Sequence, residues 1–191
     1  MGGKIFVISA SSGAGKTSLV TEVLKKIGTK HSISRVITYT SRQPRPGDIN
    51  GIDYHFVTSQ EFELKISQDF FIEWSGVYGA YYGSPKHIID ELALGRSFIL
   101  ILDLAGAISV VQKFSQAVSI WIDVPSIEIL EQRLVSRGTE NIIQIKKRIN
   151  LAKKEQKDEK KLNFFRHYLI NDDFFKATEK MEKLFLNELC K

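Results

Sequence analysis

Apolar positions along this chain alternate between two periods. Ile5, Phe6, Val7 and Ile8 form an unbroken apolar run, and beyond a Ser/Gly-rich turn Leu19, Val20, Val23, Leu24 and Ile27 recur at helical spacing up to Gly28. The first pattern predicts a strand over residues 4–9 and the second a helix that Gly28 stops. Residues 33–39 read as a second strand, which the Pro/Gly-rich segment 42–48 cannot continue, so that segment is expected to be an exposed loop. Residues 54–57 are strand-like, Thr58 and Glu61 form a capping box for a short helix, and two β-rich runs follow at 70–74 and 77–82. Ser84 and Pro85 then predict a helix entry, with Ser as cap and Pro at the first helical position, and Gly95 stops that helix. Beyond it the pattern gives a strand at 98–102, a helix at 107–114, a strand at 118–124 and a helix at 126–137. A long charged helix after Thr139, a strand at 168–170 and a final helix complete the chain.

Repeated strand–helix alternation predicts an α/β fold whose parallel sheet is covered by helices on both faces. Residues 38–84 interrupt it as a small, mostly β insertion, leaving 3–37 and 85–191 as the core. With 191 residues, 43% of them apolar, and no repeat or linker, the chain reads as one domain. The apolar stretch 98–111 is broken by Asp103 and falls short of the roughly 20 residues that span a bilayer. The amino-terminal run is too short for a secretory signal, and Phe6 breaks the myristoylation pattern. The single cysteine, Cys190, excludes an intrachain disulfide. These features predict a cytoplasmic protein. The net charge of +5 is local: residues 146–161 hold eight Lys/Arg against Glu155, Asp158 and Glu159. A solvated helix face accounts for such a run more simply than nucleic acid does.

The segment Ala10-Ser11-Ser12-Gly13-Ala14-Gly15-Lys16-Thr17, followed by Ser18, falls between the first predicted strand and the first predicted helix. It is a P-loop with Ala at its first position. In such a loop the glycines let successive backbone N–H groups turn onto phosphate oxygens, and the helix N-terminus adds positive potential. Lys16 reaches the β/γ-phosphates and Thr17 holds Mg²⁺. Ala10 requires a backbone region open to a Cβ. A flexible turn capping a helix is the alternative, which the strand before, the helix after and Gly-Lys-Thr disfavour. A dinucleotide fingerprint fails because Ser18 stands at the third glycine position.

Two further constellations carry charge. Arg42 and Arg45 sit three apart on the Pro-containing loop, where planar guanidinium groups suit a phosphate dianion, and Tyr54, Tyr81 and Tyr82 add phenolic donors in the same insertion. Arg133 and Arg137 lie one helical turn apart, on one helix face, with Arg148 beyond them; an ordinary amphipathic helix is the alternative. Glu73, by itself, reads as a carboxylate on the exposed face of a short strand.

The P-loop, the segment Thr40-Ser41-Arg42-x-x-Arg45 running on to Gly51-x-x-Tyr54-x-Phe56, and Tyr81-Tyr82-Gly83-Ser84 together resemble bacterial guanylate kinase over almost the whole chain. The resemblance implies Mg²⁺-dependent phosphoryl transfer from ATP to GMP, with dGMP left open, and neither a nucleic-acid nor a membrane partner. It implies that Arg42, Arg45, Tyr54 and Tyr82 hold the GMP phosphate and that Glu73, Ser84, Thr38 and Asp103 face the guanine base. Asp103 also suits contact with Mg²⁺ and its water. Arg133, Arg137 and Arg148 would close with a helical lid, about residues 126–160, over ATP, and Asn171 would lie by the adenine. Glu73 has physical sense of its own: a carboxylate accepts two hydrogen bonds, and guanine offers N1–H and a 2-amino group side by side where adenine does not.

Three departures lie beside the expected site. Asp48 stands where that family has Glu, Ala80 where it has Asn, and Leu104-Ala105-Gly106 where it has x-Gln-Gly; the two alanines cannot hydrogen-bond through their side chains. The rival readings are a non-catalytic guanylate-kinase-like interaction module, a basic nucleic-acid-dependent NTPase, and a kinase with another monophosphate acceptor. The complete P-loop opposes the first, the absence of a reader motif the second, and Glu73 the third.

Overall fold

The computed structural model describes residues 2–191 other than Tyr78, Arg137, Thr139 and Glu140. In chain order its elements are β1 (Ile5–Ala10), α1 (Lys16–Ile27), β2 (Ile33–Arg35), β3 (Tyr39–Thr40), β4 (His55–Phe56), α2 (Ser59–Ser67), β5 (Phe71–Val77) and β6 (Ala80–Pro85). They continue with α3 (Ile88–Ala93), β7 (Ser97–Leu102), α4 (Leu104–Lys113), β8 (Val118–Asp123), α5 (Ile127–Ser136), α6 (Ile142–Leu162), β9 (His167–Ile170) and α7 (Phe174–Leu189).

Five strands form a wholly parallel sheet in the order β2-β7-β1-β8-β9. All six residues of β1 are buried, as a central strand covered on both faces requires. Its side chains alternate between two cores: Phe6 and Ile8 pack with α1, α5, α6 and α7, whereas Ile5 and Val7 pack with α3 and α4. The Phe6 ring lies 4.7 Å from that of Phe185 on α7. Each such fully buried side chain contributes about 1.5–3 kcal/mol, and a one-residue slip of β1 would exchange the two sets.

A second sheet, in the order β4-β3-β6-β5, holds the insertion. Phe62 of α2 is fully buried against it, stacked 4.6 Å from Phe71 and 5.2 Å from Tyr81. The capping box at Thr58 and Glu61 is formed. On α6 the buried residues are Ile145, Ile149, Ala152, Glu155 and Glu159, while Lys146, Lys147, Lys153, Lys154, Lys157, Lys160 and Lys161 are exposed, the solvated face that the charge run suggested. Among the described residues no helix is long and apolar enough to cross a membrane.

Three local expectations are corrected. Ser84 and Pro85 end β6 rather than opening a helix, because Ser84 pairs with Glu73 and Pro85 with Phe71 across the hairpin; α3 begins at Ile88. Pro is tolerated there because a strand end needs no further N–H. The run 33–39 is two strands in different sheets: Val36 still donates to Ile99 of the main sheet, and Thr38 already accepts from His55 of the small one. The hairpin turns beside Gly79, with φ 76°, so β5 runs through Ser75 and Gly76.

Candidate active site

The carboxyl ends of the parallel strands meet on one side of the main sheet, where open α/β sheets place ligands. Ala10 ends β1, Asp103 follows β7, and Asn171 follows β9. Between this edge and the small sheet opens a cleft of about 690 Å³, within the usual range for small-molecule sites.

The P-loop forms its floor. Ala10 keeps the extended geometry of β1, so its methyl group is accommodated. Gly15, the N-cap of α1, has φ 93°, and a Cβ there would come within 2.6 Å of Asn171 Nδ2. Asn171, buried behind the loop, donates through Nδ2 to the Ala14 carbonyl at 2.8 Å. Lys16 Nζ is folded back on its own loop, donating to the carbonyls of Ala10 at 2.5 Å and Ser11 at 3.4 Å. Burial lowers its pKa to about 8; the Glu155 and Asp103 carboxylates oppose that fall and Arg148 adds to it. Ser12, Gly13, Thr17 and Ser18 line the same floor, with Thr17 exposed on the first turn of α1.

Arginines reach the loop from two helices. Arg148 on α6 donates to Ser12 Oγ at 2.6 Å. Arg133 on α5 donates through Nη2 to the Asn171 carbonyl at 3.1 Å, while its Nη1 is buried without a partner. Arg137 lies outside the described residues.

The small sheet forms the opposite wall. Arg42 donates to Asp48 Oδ2 at 2.8 Å, its guanidinium carbon 5.3 Å from the centre of the Tyr54 ring, and the Arg45 backbone N–H donates to the same Asp48 oxygen at 2.8 Å. Although partial burial raises the Asp48 carboxyl, the Arg45 N–H and the Arg42 guanidinium hold it below its ordinary value. The shorter acid at this position therefore still fixes the arginine loop. Tyr54 and Tyr82, ring centres 6.1 Å apart, line the wall with Arg45 and Thr38. Burial raises the Tyr54 pKa, so its phenol stays a donor.

Two carboxylates lie between these walls. Glu73 is only 4% exposed, which overturns its reading as a surface carboxylate. Burial pushes its pKa up to about 7; the hydrogen bond from Ser84 opposes that rise and the Asp103 charge adds to it. Ser84 Oγ donates to Glu73 Oε1 at 2.6 Å and so fixes the carboxylate's orientation; Ser84 and Tyr81, whose hydroxyl donates to Glu63 Oε1 at 3.3 Å, do not line the cleft. Asp103 is the N-cap of α4. Its Oδ1 accepts from the Gly106 N–H at 2.8 Å, and its Oδ2 accepts from Ser75 Oγ. Gly106 lets the helix start close to both acids: a Cβ there would lie 3.0 Å from Glu73 Oε2.

Among the cleft residues that escaped the sequence reading are Ser75, Glu155 and Phe174. Ser75 is two residues from Glu73 and so on the same strand face, a period-2 signal. Glu155 is seven residues from Arg148, two turns along one helix face. Phe174 follows Asn171 into α7 and lines the cleft, with no local sign of that role.

The chain matches the guanylate kinase family model over residues 2–188. It is 41% identical over 180 residues to the guanylate kinase of Dechloromonas aromatica, covering 94% of this chain and 86% of that one. It is 40% identical over 190 residues to that of Nitrosospira multiformis, covering 99% and 88%. The crystal structure of guanylate kinase from Anaplasma phagocytophilum superimposes with a TM-score of 0.81 at 26% identity, covering 100% of this chain and 88% of that one. The match to the family model over nearly the whole chain, with relatives at 40–41% identity and the same fold, shows that the chain belongs to the guanylate kinase family.

Proposed function

We infer that this protein transfers the γ-phosphoryl group of ATP to GMP, giving ADP and GDP. One observation carries the reading: a single cleft joins a complete P-loop to a separate arginine–tyrosine wall, with the buried carboxylate of Glu73 between them. ATP lies on the P-loop, its phosphates on the backbone N–H groups of residues 11–18 and on Lys16, which exchanges the carbonyls of Ala10 and Ser11 for phosphate oxygens. GMP lies against the small sheet. Arg42 keeps donors beyond its bonds to Asp48 and to the Gln43 carbonyl, and these, with Arg45 and the hydroxyls of Tyr54 and Tyr82, take the acceptor phosphate. Glu73, aimed by Ser84, accepts from the guanine N1–H and 2-amino groups, with Thr38 and Asp103 beside it.

The residues present fit a magnesium ion that arrives with ATP. Thr17 offers an exposed hydroxyl beside the loop, and among the described residues there is no cluster of three or more acidic, His or Cys side chains that would cage the ion. Mg²⁺ keeps several waters and takes phosphate oxygens readily, so such a sparse setting suits it. When bound it neutralises charge on the phosphates. Phosphoryl transfer then asks the protein for positioning and positive charge. Arg148 is held at Ser12, and the unpartnered Nη1 of Arg133 awaits an anion.

A panel of nucleoside monophosphates assayed with the parent and Glu73→Ala tests this. Hydrogen bonds to a charged group are worth about 1.5–3 kcal/mol each, so AMP, lacking both donors, should be about 10² to 10⁴-fold less efficient than GMP. Glu73→Ala should cost GMP most of that factor and AMP little. A variant that keeps GMP efficiency within about threefold would remove Glu73 from base recognition.

A further inference from the structure

Glu155 sits in the cleft without a task in the reaction as described. It is 9% exposed, on α6, and its Oε2 is buried with no hydrogen-bond partner. Leaving a carboxylate oxygen dry and unpaired is costly, and such atoms in folded proteins mark an unmade contact. Its neighbours define what that contact is. Arg148, Ala152 and Glu155 share one face of α6, and the first two already touch the P-loop: Arg148 at Ser12, and the Ala152 carbonyl accepting from Ser11 Oγ at 3.4 Å. The helix therefore delivers Glu155 to the phosphate side of the cleft, where Lys16 and Asp103 are the charges it senses. A carboxylate beside three phosphates is repelled by them unless a cation intervenes.

Asp103, the other acid there, is less free to serve. Both of its oxygens already accept hydrogen bonds, from the Gly106 N–H and from Ser75 Oγ. Mg²⁺ on a nucleotide keeps waters that need acceptors, and those acceptors orient the ion.

We propose that Glu155 is a positioning residue for the nucleotide-bound Mg²⁺, accepting hydrogen bonds from its water shell, while Asp103 is chiefly the cap of α4 and the partner of Ser75. The proposal rests on the reading above that ATP occupies the P-loop with its ion. It gives Glu155 opposite effects on the two forms of the nucleotide. Burial raises the pKa of the Glu155 carboxyl to about 7, so at pH 8, where it is ionised, it repels the phosphates without the ion and holds the complex in place with it.

The test is calorimetric titration of the full chain with ADP at pH 8, in excess MgCl₂ and in EDTA, for the parent and for Glu155→Gln, which keeps the shape and removes the charge. The ratio of the two affinities measures the coupling between ion and residue. In the parent Mg²⁺ should tighten ADP. In Glu155→Gln, ADP in EDTA should bind more tightly than it does to the parent, ADP with Mg²⁺ more weakly, and the coupling should fall by roughly tenfold to a hundredfold, the range for a hydrogen bond to a charged group. GMP affinity, measured on the same preparation, should match the parent and certifies an intact fold; if it does not, Glu155→Asp, which keeps the charge, should retain the coupling. Equal shifts with and without Mg²⁺ would overturn the proposal and make Glu155 a mere counter-charge to Lys16. A parent that binds ADP no better with Mg²⁺ would overturn the reading of the cleft on which it rests.

Discussion

Glu73 carries a carboxylate where water barely reaches it, and one environment decides both its chemistry and its cost. With burial as the leading cause, its pKa rises from 4.5 to about 7. The folded, empty site therefore keeps a proton between those two values that the unfolded chain has already released. The stability this gives is fully present below pH 4.5 and is lost as pH rises through about 7, a difference on the order of 3 kcal/mol. Glu73→Gln, neutral at every pH, should melt several degrees above the parent at pH 8 and close to it at pH 5, since each kcal/mol shifts Tm by roughly 2–4 °C in a chain of this size. The gain would come with poorer GMP turnover. GMP binding should also expel the proton: at pH 6 calorimetry in buffers of different ionisation enthalpy should show more proton release for the parent than for Glu73→Gln. The GMP phosphate titrates near pH 6 in both and cancels in the difference. Equal release in parent and variant, or equal melting at pH 8, would mean that Glu73 is ionised in the empty site.

At the scale of elements the site is made where ends meet: the P-loop between β1 and α1 is closed from behind by Asn171 at the end of β9. Asn171→Ala would leave the Ala14 carbonyl buried without its donor, at a cost of about 1–3 kcal/mol. A loosened loop should weaken ADP about tenfold while GMP affinity, set by the other sheet, stays put; unchanged ADP affinity would show the loop to be rigid without its clasp. This clasp also marks the limit of what the sequence could tell. Gly13, Gly15 and Lys16, and the Thr58–Glu61 box, were legible because each is settled within a few residues by backbone geometry. Ser84-Pro85 has an equally good local signature for a helix entry, yet cross-strand pairing with Phe71 and Glu73 overrides it. The run 33–39 is uniformly strand-like and cannot reveal that its two halves serve different sheets. That Asp103 caps α4 and that Asn171 holds Ala14 depend on partners fixed only once the strands are ordered. Arg42 and Arg45 could be read as a phosphate fork from their own spacing on a Pro-containing loop, whereas Glu73 came only through the family's pattern, since a lone strand glutamate carries no such message.

Across the whole molecule the two substrates meet groups from different sheets, and the small sheet joins the main one through short segments, 36–38 and 86–87. Lys113 Nζ, donating to the Ile72 carbonyl at 2.6 Å, and Ser75, donating to Asp103, pin β5 to α4. We propose that the far end of the insertion, with Arg42, Arg45 and Tyr54, swings toward the P-loop about β5, releasing the bonds from Arg35 of β2 to the Ile52 and Asp53 carbonyls while both cores stay intact. Such a hinge has a chemical purpose. ATP on an open P-loop faces water, which would accept the phosphoryl group as GMP does, so full charge stabilisation must wait for both nucleotides. Lys16, bonded to the carbonyl of Ala10, and the unpartnered Nη1 of Arg133 are the cationic groups that the phosphates would engage. ATP hydrolysis without GMP should accordingly run at least about 10³-fold below transfer, the lower bound of what one positioned arginine contributes to phosphoryl transfer. Small-angle scattering should show the radius of gyration fall most when ADP and GMP are both present. Hydrolysis within about tenfold of transfer, or full contraction with ADP alone, would mean that the P-loop half is competent by itself and that closure of the small sheet does not gate the reaction.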